Sequence, residues 1–119
     1  MQLEVKRLSS PDVEVDRWEP KAKDDVYFVL ELEIGIVGDR RADLFHVIVA
    51  TPEGLRRFAT TEVISERSTL VLADFSWPLT HKTIKDIVQR CESPGWAESL
   101  VKLQRYFQWE YEDYSVLPS

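Results

Sequence analysis

The sequence predicts an α+β fold, an antiparallel sheet with two C-terminal helices packed on one face, in a single domain that spans residues 1–119. Apolar and polar residues alternate in several early segments, which is typical of half-buried strands. Two later segments repeat their apolar residues at helical spacing. A length of 119 residues suits one domain, and a domain of this size buries enough surface to fold without disulfides or metals.

A first strand is expected over residues 3–8, where apolar and charged residues mostly alternate. Residues 9–12 contain two serines, a proline and an aspartate, which end the strand. Residues 13–25 are polar and predict an irregular loop or a short helix. Trp18 in this segment and Trp77 later in the chain are each expected to anchor either a loop or a partner.

A hairpin is predicted next, because two strand patterns flank a short polar stretch that contains glycine. Its arms are residues 26–37 and 44–51, and its turn is residues 38–41. One face of the first arm is apolar, whereas the opposite face becomes acidic at Glu31 and Glu33.

A short helix is expected over residues 53–60, because Thr51 is a suitable cap and Pro52 suits the first turn. Residues 68–75 follow as a strand. This order of elements supports the α+β fold.

Two further helices are predicted from their apolar stripes. The first begins near Thr80, and the second has Ser93 as its cap and Pro94 in its first turn. Residues 108–114 return to strand-like alternation, in which Trp109 and Tyr111 are expected to be buried against the sheet. The two stripes are Ile84, Ile87, Val88 and Cys91 in one helix and Trp96, Leu100, Leu103 and Phe107 in the other.

Acidic residues outnumber basic ones by 21 to 15, which gives a formal net charge of -6. A basic surface for nucleic acid or anionic membranes is therefore not expected. The charge fits a monomer or weak homodimer that binds a basic partner, and solubility alone explains it equally well. The N-terminus lacks signal-peptide features, and no apolar run approaches the roughly 20 residues that span a bilayer, so a cytoplasmic protein is expected.

Residues of the types that carry out catalysis are scattered. His46, His81 and Cys91 fall in separate predicted elements, so neither a nucleophilic arrangement nor a zinc site is expected, and Cys91 is expected to be buried. Carboxylate pairs usually belong to the solvated surface, although a pair can serve acid–base chemistry. We therefore predict no catalytic residue, no metal and no cofactor. The neighbouring carboxylates include Asp24 and Asp25, Glu31 and Glu33, and Glu110 and Glu112.

The end of the chain favours recognition of a partner. Residues 109–114 are half aromatic and half acidic. Aromatic side chains recur at interface hot spots, and carboxylates around them steer cationic partners.

Matching segments across most of the chain resemble one known family. The more specific of them are the Thr51-Pro52 turn and the acidic and aromatic block of residues 109–114. The others are Ser10-Pro11-Asp12, residues 28–35, residues 45–50, Leu55, Cys91-Glu92, Gly95-Trp96, Leu100 and Leu103. Together they resemble the Imm8-type immunity proteins of bacterial polymorphic toxin systems.

The resemblance implies a small α+β protein without enzymatic activity that binds and neutralises a cognate toxin domain encoded nearby. Many such toxins are nucleases with basic clefts, to which an acidic inhibitor is complementary. We hypothesise that seven clustered carboxylates provide the toxin-binding surface. They are Asp24, Asp25, Glu31, Glu33, Glu110, Glu112 and Asp113.

Two other classes of protein stay open at this point. A small enzyme that uses a carboxylate pair would show a pocket with two carboxylates in unlike environments. A structural module that self-associates would pair an exposed edge strand and show a concentration-dependent mass.

Overall fold

Within residues 1–58 and 68–111, which the computed structural model describes, the chain forms five strands and three helices. The strands are β1 (Leu3–Ser9), β2 (Tyr27–Ile36), β3 (Asp43–Ala50), β4 (Thr69–Val71) and β5 (Gln108–Trp109). The helices are α1 (Pro52–Phe58), α2 (Trp77–Arg90) and α3 (Trp96–Leu103).

The strands form one sheet in the order β1-β2-β3-β4, and β5 pairs with β3. The β1–β2, β2–β3 and β3–β5 pairs are antiparallel. In contrast, β3 and β4 are parallel, because the chain passes through α1 between them and returns in the same direction. The predicted α+β fold is confirmed. Among the described strands, the sheet is antiparallel as predicted except for the β3–β4 pair.

The apolar face of β2 forms the centre of the core. Its four side chains from Phe28 to Ile34 at alternate positions are at most 1% exposed, and burying each of them stabilises the fold by roughly 1.5–3 kcal/mol. Helices α2 and α3 contribute to the same buried cluster, so both lie on the predicted face. The cluster also contains Phe45, Val47 and Val49 of β3, Ile84, Ile87 and Val88 of α2, and Leu103 of α3.

Four aromatic residues hold the loop between β1 and β2 against this core. The ring centroids of Trp18, Phe28 and Phe75 lie 5.5 to 5.6 Å from one another. The Trp77 indole N–H donates to the Trp18 carbonyl oxygen at 2.8 Å. Residues 13–25 are therefore an irregular loop, and both tryptophans anchor it to the core.

Thr51 connects the start of α1 to the start of β2 and is fully buried. Its hydroxyl donates to the Asp24 carbonyl oxygen (2.6 Å) and accepts from the N–H groups of Val26 (2.9 Å) and Gly54 (3.2 Å). A Cβ on Gly54 would lie 1.9 Å from the Val26 carbonyl oxygen, so this position requires glycine. The predicted cap of α1 thus also holds the helix against the sheet.

Helix α2 begins at Trp77 and not near Thr80 as predicted. Ser76 is its cap, because its backbone is extended and its hydroxyl accepts from the Leu79 N–H at 3.1 Å. Pro78 falls in the first turn, where a proline removes no helical hydrogen bond. The prediction was wrong because it rested on the apolar stripe, which starts later than the cap.

Helix α3 also differs from its prediction at both ends. Its cap is Gly95, whereas the Ser93 hydroxyl donates to the Cys91 carbonyl oxygen at 3.4 Å. The helix ends at Leu103, and Phe107 enters the core after a turn over residues 104–106. The predicted burial of Cys91, Leu103 and Phe107 is confirmed.

Two strands are shorter in the structure than predicted. Strand β4 covers three residues of the predicted segment 68–75, and β5 covers two residues of segment 108–114. Thr60, the predicted end of the short helix, and residues 112–114 lie outside the described residues. Within the described ranges, no helix has the length and apolar character needed to cross a membrane.

Replacing Thr51 by valine preserves the shape of the side chain but removes its hydroxyl. The N–H groups of Val26 and Gly54 then lose a buried acceptor, and α1 loses its cap. We expect Thr51→Val to lower the free energy of unfolding by about 2–3 kcal/mol in equilibrium urea denaturation. Thr51→Ser retains the hydroxyl and is the matched control. Equal losses in both variants would show that these hydrogen bonds do not stabilise the junction.

Candidate functional site

The sheet face opposite α2 and α3 gathers side chains from three strands. In β2 and β3, Glu31 is opposite His46, and Glu33 is opposite Leu44 in the next row. Glu110 follows β5 and donates its N–H to the Leu44 carbonyl oxygen at 3.0 Å. We call this surface the open face. It consists of Tyr27, Val29, Glu31, Glu33, Leu44, His46, Ile48, Gln108 and Glu110.

A groove of about 670 Å³ occupies the part of the open face near the start of β2, and Ile48 is among its apolar lining residues. A depression of about 260 Å³ lies beside it and is lined by Glu31 and Glu110. Both are bordered by Val29 and His46. The open face is therefore one continuous surface. Toward the start of β2 it combines aromatic and aliphatic side chains with Asp12 and Arg57, and toward the end of β2 it carries Glu31, Glu33 and Glu110.

Helix α1 supplies one wall of the groove. The rings of Phe58 and Tyr27 are stacked, with centroids 4.1 Å apart and an interplanar angle of 7°, and Phe58 is 58% exposed. The Arg57 guanidinium forms an ion pair with Asp25 at 2.8 Å. The position of α1 therefore determines both the aromatic wall and the charge at this end.

The loop after β1 supplies another part of the wall. The Asp12 carboxylate accepts from the Val29 N–H at 2.8 Å, and the Ser10 hydroxyl donates to the Val29 carbonyl oxygen at 2.6 Å. These two side chains take the place of a neighbouring strand. Asp12 is not among the site residues predicted from the sequence, although its place after Ser10 and Pro11 is typical of a residue that hydrogen-bonds to backbone.

The open face brings together several of the carboxylates that the sequence analysis proposed. Asp24 is exposed in the segment before β2 and lines neither the groove nor the depression. Glu112 and Asp113 lie outside the described residues. The proposed residues that lie on the open face or at its border are Asp25, Glu31, Glu33 and Glu110.

Charge is distributed unevenly over these carboxylates. Asp25 is paired with an arginine, and Glu33 lies 3.7 Å from the Arg7 guanidinium. In the part of the chain that the structure describes, neither Glu31 nor Glu110 has an ion-pair partner. Among the described residues, Glu31 and Glu110 therefore contribute unpaired negative charge at the acidic end of the open face.

The two aromatic residues of the tail block have different environments. Trp109 is opposite Phe45 in the sheet register and is half-buried against the core. Tyr111 is 47% exposed and packs edge-on against the Trp109 ring, with centroids 5.3 Å apart. The expectation that both are buried is therefore wrong for Tyr111, because the sheet pairing ends at Trp109.

A second pocket, of about 370 Å³, contains two carboxylates in unlike environments. Burial raises the pKa of the Asp43 carboxyl, and a hydrogen bond from Trp96 opposes this rise. Hydrogen bonds from Arg41 lower the pKa of Asp39. This pocket is where the carboxylate-pair enzyme has its best support, but Asp39 is engaged by both the guanidinium (3.1 Å) and the backbone N–H (2.9 Å) of Arg41.

The residues suited to nucleophilic or metal chemistry occupy separate places. Cys91 is buried, and burial raises the pKa of its thiol, which disfavours the reactive thiolate. The ring Nε2 of His81 lies 2.6 Å from Asp16 Oδ1, whereas that of His46 lies 3.0 Å from Gln108 Oε1 on the open face. No group of three or more metal-binding side chains forms within residues 1–58 and 68–111.

One comparison with known proteins bears on the function of this surface. The family model described as Immunity protein 8 (Imm8) matches residues 3–114. No curated protein and no solved structure matches the chain. The family match covers all the described strands and helices, including the residues of the open face.

The opposite pKa shifts of Asp43 and Asp39 predict opposite effects of their amides on stability. The raised pKa of Asp43 means that ionisation disfavours the folded state, a cost that is absent at pH 3 and present at pH 7. As the pH rises from 3 to 7, the free energy of unfolding of Asp43→Asn should therefore increase relative to that of the wild type.

Asp39→Asn is the matched control for this measurement. Its lowered pKa contributes stability above the pKa of the unfolded chain, and that stability is lost as the pH falls through the folded-state value. As the pH rises from 3 to 7, the free energy of unfolding of Asp39→Asn should therefore decrease relative to that of the wild type. Urea denaturation at both pH values measures the two trends, and trends of the same sign would contradict this assignment.

Proposed function

The chain belongs to the Imm8 family of immunity proteins, and on that basis we propose that it binds and neutralises a cognate bacterial toxin domain. We further propose the open face as the binding surface. The observation that supports this choice is the combination, on one face of the sheet, of an exposed aromatic wall with two carboxylates, Glu31 and Glu110, that have no ion-pair partner in the described part of the chain.

The size of the protein is compatible with a tight complex. A standard interface buries roughly 800 Å² of each partner, and the accessible surface of the chain is 7871 Å². A single sheet face with its bordering loops is large enough for such an interface. Aromatic side chains at its centre would provide affinity, and the surrounding carboxylates would speed encounter.

The charge of the protein favours a cationic toxin domain. The net charge of -6 attracts a basic surface over distances of about one Debye length, roughly 8–10 Å at physiological salt. A nuclease is one such target, because its cleft must attract a polyanion. We propose that the protein acts without catalysis, as a single domain inside the cell that produces the toxin. We propose that the carboxylates predicted from the sequence contribute to the attractive field, most of all Glu31 and Glu110 on the open face, since Asp25 and Glu33 lie beside arginines.

A carboxylate-pair enzyme is the second candidate, and the pocket of Asp39 and Asp43 is the observation that favours it. An acid–base pair needs one carboxylate that accepts a proton and one that donates it. The engagement of Asp39 with Arg41 occupies the carboxylate that would serve as the base. The immunity function is therefore the better supported proposal.

Co-expression tests the immunity function directly. The C-terminal toxin domain encoded immediately upstream, with its active site inactivated, would be expressed with the tagged protein. We expect a one-to-one complex in size-exclusion chromatography, and we expect the protein to restore growth of cells that express the active domain.

The variant Asp39→Asn/Asp43→Asn separates binding from catalysis in the same assay. A neutralising binder needs neither carboxyl, so this variant should restore growth as well as the wild type does. Loss of growth rescue by a variant that still folds and still forms the complex would favour the enzyme. Absence of both complex and rescue with the wild type would contradict the immunity function for this toxin.

A further inference from the structure

We infer that the toxin segment bound by the open face places an apolar side chain in the groove and a lysine or arginine side chain at its acidic end. This inference rests on the proposed function and specifies the chemistry of the partner. It follows from the different composition of the two ends of the face, which lie along the same strand.

The groove end is suited to an apolar group, because its two charged lining residues are already engaged: Arg57 pairs with Asp25, and Asp12 accepts from the Val29 N–H. Tyr27 and Phe58 form a stacked pair at its wall, and Val29 and Ile48 contribute apolar surface beside them. Phe58 is 58% exposed, and a large exposed aromatic side chain of this kind gains most from burial against a partner. An aliphatic or aromatic side chain of the partner would cover this ring and exclude water from the groove.

The acidic end is suited to a cationic side chain. Glu31 and Glu110 border a depression whose other lining residues include Val29 and Leu44. A lysine or arginine side chain buries its aliphatic stem on apolar surface and keeps its charged head at the carboxylates. The apolar residues and the carboxylates of this depression match those two parts of one side chain.

The spacing of the two ends limits the segment that fits. Tyr27 and Glu31 are four residues apart on β2, which corresponds to roughly 13 Å along a strand. The apolar and cationic groups of the partner should therefore be separated by about that distance or less. An extended segment or one face of a helix can present two side chains at this separation.

Charge complementarity favours a cationic partner over a second copy of this chain. A second copy brings the same carboxylates to the interface, and like charges placed together oppose association. The lysine- or arginine-bearing segment of the toxin domain is therefore the occupant that we propose.

Association and dissociation kinetics with the inactivated upstream toxin domain test the two ends separately. For the acidic end, Glu31→Gln/Glu110→Gln should slow association about tenfold at low salt and flatten its salt dependence. The control Asp86→Asn/Glu98→Gln removes the same charge from α2 and α3, on the other side of the sheet, and should change association much less.

For the groove end, Phe58→Ala should speed dissociation about tenfold or more and leave association nearly unchanged. Val101→Ala truncates a side chain of equal fractional exposure, 58%, on α3 and is its control. Thermal unfolding of each free variant would verify that all four are folded.

A photo-crosslinking amino acid at Gln108, compared with one at Gln89 on α2, would identify the bound segment by mass spectrometry. We expect crosslinks from position 108 to a segment that contains an apolar residue beside lysine or arginine.

Wild-type binding with unchanged kinetics in both test variants, or a crosslinked segment without a basic residue, would overturn this inference and leave the proposed function intact. A concentration-dependent mass with crosslinks between copies would instead identify a second copy as the occupant. Failure of the wild type to bind would reject the proposed function and this inference together.

Discussion

The contact between Thr51, Gly54 and the start of β2 is the constraint on which the candidate site depends. The buried hydroxyl of Thr51 joins three backbone groups, and the absence of a side chain at Gly54 lets α1 approach the Val26 carbonyl. This contact sets the direction in which α1 leaves the sheet. Because the helix is only seven residues long, its direction decides where Phe58 lies at its last position. The aromatic wall of the open face is therefore a consequence of a buried junction several residues away.

The second determinant is that helices α2 and α3 cover only one of the two faces of the sheet. Strand β2 places its apolar row under the helices, where every member is fully or almost fully buried. The alternate row, from Tyr27 to Glu33, lies on the open face and is half-buried. A sheet covered on one side leaves a broad surface that needs no helix to complete the core, and such a surface is available for a partner. Glu31, Glu33 and Glu110 therefore lie on this face, where no unpaired charge is buried in the interior.

Local sequence patterns predicted much of this arrangement. They could not predict contacts between residues that lie far apart in the sequence. Strand alternation is a local property, so the two faces of β2 and β3 followed from the sequence. The start of α2 was misplaced because the cap and the apolar stripe begin at different residues. The proximity of Glu110 to Glu31 depends on the pairing of β5 with β3 between segments 62 residues apart. Asp12 accepts from the backbone N–H of Val29. This N–H is available because β1 ends before it reaches Val29. Neither relation is encoded in a short segment of the chain.

Alternation also separates the requirements of stability from those of recognition. A substitution at Val29, Glu31 or His46 changes the open face, while the neighbouring residues of the same strands keep the core packed. The converse holds at Phe28 or Leu30, where a change of volume would destabilise the fold by several kcal/mol without touching the partner. A protein that recognises a partner through one face gains from this separation, because its binding surface can change while its core does not. A sheet with helices on one side provides this separation by geometry alone, which makes the fold a suitable support for a binding surface.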